Sequence, residues 1–310
     1  MEGRESRGMG VILVAYAVIH VYWAVAGGPH FAIFGESFVP GVWTPVVLSG
    51  LALGAWLLVA RRPGRAAVAL GWGAGVGMLL YSFMFALDLA GMLFGEPTDW
   101  PGFLIRSLGV TGGLLLVLRT AATRRTLVGA CPDCGRVHGR SPERRTDAVP
   151  RWAFAAAYLA LAGSLARMGA ELVMGLPWSP SDPSSLPFLI AYGLAGVVLP
   201  PALVHRWGRI WPSWVVPLAG RDVPRWLVAG PAMLVGFGLS GYFGLAGMTH
   251  VVMGDLDPAR PLWWTLAVVP GYTVWGLGLV VAAVPYLSIT RRPCRLQRGL
   301  NESSTVSLAG

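Results

Sequence analysis

The chain has 310 residues, 55% of them hydrophobic and 13% charged, with mean hydropathy +0.59. Soluble domains carry about 25% charged residues. This composition, with 42 Gly and 14 Trp, excludes an ordinary water-soluble enzyme and points to a membrane-embedded chain. The net charge of +9 comes from Arg alone, since Lys occurs nowhere. Exclusion of Lys fits the codon usage of a GC-rich bacterial genome. Nucleic-acid binding would need basic residues gathered on one folded face. Here they stand in short runs between apolar stretches, so no nucleic-acid partner is expected.

A hydrocarbon core about 30 Å thick takes about 20 helical residues. Eight stretches qualify: 9–27, 41–60, 66–94, 103–121, 152–175, 187–205, 226–253 and 263–287. They are continuously apolar rather than alternating, which argues for helices and against a β-barrel. Ala24-Val25-Ala26 before Gly27-Gly28 matches a signal-cleavage pattern. Tyr16, His20, Tyr22 and Trp23 make a poor signal core, however, so the first stretch is read as a span. The expected fold class is all-α, a polytopic membrane protein with eight transmembrane helices and the lipid bilayer as its surroundings.

Arg residues fix the expected orientation. Arg4, Arg7, Arg61, Arg62, Arg65, the run from Arg119 to Arg151, Arg206, Arg209, Arg221, Arg225 and the four from Arg291 to Arg298 all fall on one side. The opposite loops hold Arg260 beside Glu36, Glu96, Asp99, Asp182, Asp255 and Asp257. The positive-inside rule then puts both termini in the cytoplasm of a bacterial cell. Trp43, Trp100, Trp152, Trp178 and Trp263, near span ends, read as interfacial anchors. His30 and His205 read as ordinary interfacial residues.

The two halves of the chain resemble each other. Leu89-Ala90-Gly91-Met92 recurs as Leu245-Ala246-Gly247-Met248, and the run from Gly75 to Leu80 aligns with that from Gly230 to Val235. Gly50-Leu51-Ala52 matches Gly193-Leu194-Ala195, and Thr123-Arg124-Arg125 matches Thr290-Arg291-Arg292. Four spans per half make the repeats parallel, related by an axis along the membrane normal. The expected organisation is a four-helix repeat over 1–121, an Arg-rich linker over 122–150, a second repeat over 151–287 and a disordered tail over 288–310. Within the first repeat, His20-Val21-Tyr22-Trp23-Ala24-Val25-Ala26-Gly27 resembles the opening span of an actinobacterial family of small four-helix membrane proteins of unassigned activity. The resemblance extends over residues 1–125 and implies a fold and no chemistry. The second repeat departs from it, with Arg167 near the Trp23 position.

Cys131-Pro132-Asp133-Cys134-Gly135 followed by His138 resembles a zinc knuckle, whose tight turn aims two thiolates at one metal. His138 is the candidate third ligand. Cys294, expected on the same side just past the eighth span, is the fourth. Structural zinc would staple the linker to the tail; the alternative is reduced thiols in a loop, because the cytoplasm disfavours disulfides. Gly236-Phe237-Gly238-Leu239-Ser240-Gly241 fits a dinucleotide fingerprint as a string. It lies inside a span with no preceding strand, so its glycines read as helix-packing positions.

Ionisable residues inside spans are His20, Asp88, Arg106, Arg167, Glu171 and His250. A charge at mid-bilayer costs about 2.5–3.5 kcal/mol on insertion scales, which makes each a functional candidate. Arg167 and Glu171 stand four apart on one helix face. Asp88 and Arg106 flank a short loop. One reading is two ion pairs with interfacial snorkelling; the other is an outward-opening substrate cavity lined by all six. Three functions follow: a small-molecule or ion transporter with its path between the repeats; a membrane-embedded enzyme on a lipid or isoprenoid, with Asp88 or Glu171 as proton donor; or a non-catalytic partner or sensor with the Cys motif as its cytoplasmic module. Pro200-Pro201 and Pro270-Gly271 are the expected helix breaks that transport would use.

Overall fold

The computed structural model describes residues 2–28, 42–93, 95, 99–131, 134–142, 144–175, 186–254, 256, 258–292 and 294. Their regular elements are helices: α1 Glu2–Ala26, α2 Thr44–Arg61, α3 Arg65–Tyr81, α4 Met84–Leu93, α5 Trp100–Leu127, α6 Arg151–Met174, α7 Leu186–Gly193, α8 Leu199–Val204, α9 Arg225–Leu239, α10 Met248–Met253 and α11 Leu262–Ile289. Two π-helical segments, Leu194–Val198 and Ser240–Gly247, join α7 to α8 and α9 to α10. Among the described residues, seven helices are long and apolar enough to cross a membrane: Gly8–Ala26, Thr44–Arg61, Trp100–Leu127, Arg151–Met174, Leu186–Val204, Arg225–Met253 and Leu262–Ile289. The chain is therefore a helical, multi-pass membrane protein in contact with lipid. Trp43, Trp100, Trp152 and Trp263 are exposed near helix ends, as anchors should be; Trp178, His30 and the tail beyond Cys294 lie outside the described residues.

The expected span 66–94 is instead two helices. A turn at Ser82-Phe83 divides it into α3, with 17 residues, and α4, with 10. There the Phe83 and Phe85 N–H groups bond carbonyls three residues back, on Leu80 and Ser82. Phe83, 3% exposed, is aimed at the other half, where a Cβ on Gly241 would meet its ring at 2.5 Å. The turn thus serves a packing contact that hydropathy alone does not reveal. Despite the break, α3 and α4 together run antiparallel along α5. Gly75 faces Gly113, Ser82 faces Gly109, the Phe85 and Phe103 rings stack at 5.4 Å, and Asp88 meets Arg106.

Each half has the same ring of neighbours. In the first, α1 packs on α2 and α5, α2 on α3, and α3 on α5; in the second, α6 packs on α8 and α11, α8 on α9, and α9 on α11. Reciprocal glycine crossings set the closest approaches: Gly75 with Gly113, Gly236 with Gly276, and Gly163 with Gly271. Absence of a side chain lets the backbones touch there. Gly75 and Gly236 each face a glycine of a neighbouring long helix, on α5 and α11 respectively.

Pro200 shapes the sixth span. Its missing N–H leaves without a helical donor the carbonyls four and five residues back, on Gly196 and Ala195. Gly196 O accepts the Ser164 hydroxyl at 2.9 Å, and Ala195 O accepts the Trp275 indole N–H at 3.3 Å. The wider π turn coincides with those carbonyls. Pro270, by contrast, does not break α11, which continues from Leu262 to Ile289 with Pro270 and Pro285 inside it.

The tightest crossing gives a direct check. A Cβ on Gly163 would lie 2.5 Å from Gly271 O and 2.9 Å from Trp275 N, both backbone atoms, whereas a Cβ on Gly169 of the same helix meets nothing within 4 Å. Gly163→Ala is expected to cost about 1–3 kcal/mol through overpacking, with Gly169→Ala close to neutral. Thermal unfolding of the detergent-solubilised variants measures both, and equal effects would contradict the close crossing.

Candidate metal centre and buried ion pairs

Beyond α5 the chain turns back on itself. The Cys131 N–H donates to Arg136 O and the Gly135 N–H to Cys131 O, each at 2.8 Å. Gly135 takes φ +64°, the left-handed region that a glycine occupies freely. This hairpin presents Cys131, Cys134 and His138 together, and Cys294, five residues past the end of α11, joins them from a position 163 residues beyond Cys131 in sequence. Cys131 Sγ lies 3.7 Å from Cys294 Sγ, and Cys134 Sγ lies 3.8 Å from His138 Nε2. All four donor atoms fall within 4.8 Å of one another. A tetrahedral zinc with Zn–S bonds of about 2.3 Å needs sulfurs about 3.8 Å apart. The donor set and its spacing therefore fit a single metal ion of that kind.

Buried guanidinium groups hold the two segments in place. Arg136, 2% exposed, donates from Nη1 to Arg292 O and from Nη2 to Arg291 O, while Arg291 Nη1 donates to Gly135 O at 2.6 Å. Arg291 sits below its ordinary pKa through burial first, then through Arg125, Arg136 and Arg225. Burial likewise pushes the Cys134 thiol up, with Cys294 and Cys131 adding to the effect. Three thiolates and a neutral imidazole around a divalent ion leave one net negative charge, and the adjoining Arg residues suit it electrostatically.

A second latch lies further along the linker. Arg145 Nη1 donates to Arg209 O and Val223 O at 3.0 and 2.9 Å, and its Nε pairs with Asp222 at 3.2 Å. Arg209 returns bonds to the carbonyls of Arg145 and Asp147. Tyr286 of α11 donates to Gly208 O at 2.9 Å. The linker is thus built into the end of the second bundle. The latching roles of Arg136, Arg145 and Arg209 are not legible in the sequence, because the positive-inside argument treats every loop Arg alike.

The in-span ionisable residues form two separate pairs. Arg106 Nη1 donates to both Asp88 oxygens, at 2.8 and 3.0 Å, joining α4 to α5 within the first half. Arg167 Nη2 lies 3.4 Å from Glu171 Oε1 on α6 of the second half. The Tyr192 and Tyr272 rings each stand 5.2 Å from the Arg167 guanidinium carbon, two aromatic partners that the sequence reading missed. His20, 8% exposed, packs among the rings of Tyr16, Trp23 and Tyr81 in the first half. His250 is exposed on α10. Where the halves meet, contacts include Phe83 on Gly241 and Tyr242, and Ala86 beside Gly238. Those contacts are apolar.

No protein-family model, curated protein or solved structure matches this chain.

Proposed function

We propose that this multi-pass membrane protein is a partner or sensor whose cytoplasmic module is fastened by one structural zinc ion, held by Cys131, Cys134, His138 and Cys294. The observation that carries the proposal is the convergence of four zinc-type donors, from segments 163 residues apart, to within 4.8 Å of one another. When bound, zinc supplies a rigid cross-link and no redox chemistry. The surrounding residues do the rest. Arg136 and Arg291 clamp the linker hairpin to the end of α11, and Arg145 with Arg209 fixes the linker to the loop before α9.

The same contact bears on the second half of the eight-span, duplicated reading, in which both termini lie in the cytoplasm of a bacterial inner membrane. Cys134 and Cys294 must lie on one side of any bilayer, so the chain between them crosses an even number of times. Four crossings, by α6, α7–α8, α9–α10 and α11, satisfy this. In the first half, the run of α3 and α4 beside α5 supports one broken crossing. The matching neighbours of the two halves support duplication of the four-helix unit that the first 125 residues resemble. Transport along the seam between repeats, or proton donation by Asp88 or Glu171, has less behind it: each carboxylate is engaged by an Arg of its own half.

Native mass spectrometry of the full chain, purified without chelator, tests the proposal. One zinc per chain, removed by chelation and restored by one equivalent of zinc, is the expected result. A bare protein mass with no uptake of added zinc would overturn it.

A further inference from the structure

We propose that Arg167 is the anchoring residue of an anion site in the second half, taking the phosphate or carboxylate group of a small ligand or lipid. This goes beyond the zinc centre and does not depend on it. Arg167 is 7% exposed and lies 16 residues along α6 from Arg151, about 24 Å at 1.5 Å per residue. Its only ion-pair contact among the described residues is the 3.4 Å approach of Nη2 to Glu171. Nε and Nη1 are buried with no hydrogen-bond partner among those residues. Buried donors are nearly always satisfied, because an unmade bond costs the full desolvation of the group. Two orphaned donors on one guanidinium therefore mark a place where an acceptor belongs.

The other pair supplies the contrast. One Arg106 nitrogen binds both Asp88 oxygens at 2.8 and 3.0 Å, which is a closed arrangement. Around Arg167 stand the Tyr192 and Tyr272 rings, whose hydroxyl oxygens also lie near the guanidinium. Tyr192 has its hydroxyl committed to Ser164 O at 2.7 Å, and Trp275 has its indole N–H committed to Ala195 O. Phe243 stacks on Tyr272 at 3.9 Å. These neighbours come from α7, from α11 beside Pro270-Gly271 and from the π segment Ser240–Gly247, and π segments recur at ligand sites. A planar guanidinium fork suits the paired oxygens of a carboxylate or phosphate. The neighbouring aromatic rings suit an apolar stem attached to it.

Dodecyl phosphate and inorganic phosphate are the probes, titrated into the full chain in a neutral maltoside detergent. Tryptophan fluorescence reports binding, since Trp275 stacks on Tyr272. Saturable, one-to-one binding is expected, weakened about tenfold or more in Arg167→Gln. Glu171→Gln removes the competing carboxylate and is expected to tighten binding, which a variant that merely failed to fold would not do. Competition by inorganic phosphate would assign the site to a soluble anion; binding of dodecyl phosphate alone would assign it to a lipid headgroup. Wild-type protein that binds neither probe, or an Arg167→Gln variant that folds and binds as tightly as wild type, would overturn the proposal.

Discussion

Asp88→Asn is expected to destabilise the protein by about 3–5 kcal/mol, because it leaves the Arg106 charge buried without its counter-charge. Both side chains are under a tenth exposed, so solvent does little to relieve the loss. The pair also ties α4 to α5 just beyond the turn at Ser82-Phe83, where α3 and α4 are no longer one helix. Removing both charges together, as Asp88→Leu with Arg106→Met, should recover most of the stability. A buried pair replaced by apolar groups of similar volume is often neutral or better. Unfolding in detergent separates these cases. A single variant as stable as wild type, or a double variant as damaged as the single, would show that the pair is not the tie described here.

Cys294→Ser is expected to abolish tight zinc binding while leaving the helical bundle folded. Structural zinc contributes about 10–16 kcal/mol in isolated finger peptides at pH 7. Here the bundle has its own packing, including the clusters centred on Leu279 and Met78, so the loss should stay local to the linker and the end of α11. Arg136 is the reporter: at 2% exposure it is shielded from trypsin, and chelation or Cys294→Ser should open cleavage after it. Proton competition follows the same chemistry. Burial pushes the Cys134 thiol up, so its proton must be displaced on metal binding. Uptake should weaken as pH falls, by about tenfold per pH unit for each thiol still protonated. Unchanged zinc affinity in Cys294→Ser, with Arg136 still protected, would remove Cys294 from the ligand set.

Much of this was legible in the linear sequence. Seven of the expected stretches match helices, all but 103–121 to within about three residues at each end, because the cost of burying polar backbone in lipid is decided segment by segment. Cys294 could be named beside Cys131 and Cys134 because an even number of spans returns the chain to the same side. The i, i+4 spacing of Arg167 and Glu171 gave their pairing directly. Pro200 was readable as an irregularity, though its partners were not.

What the tertiary structure decided depends on which faces meet. Ser82-Phe83 carries no helix-breaking signal, and the turn there follows from the fit of the Phe83 ring against Gly241 of the other half. The close crossings of Gly75 with Gly113 and of Gly236 with Gly276 depend on which helix faces meet, and no string in a Gly-rich chain marks them. The aromatic faces around Arg167 come from α7 and α11, and no sequence spacing links Tyr192 to Tyr272. Hydropathy acts along the chain and leaves its mark in the sequence. Side-chain pairing between helices depends on rotation and close approach, which only the packed bundle sets.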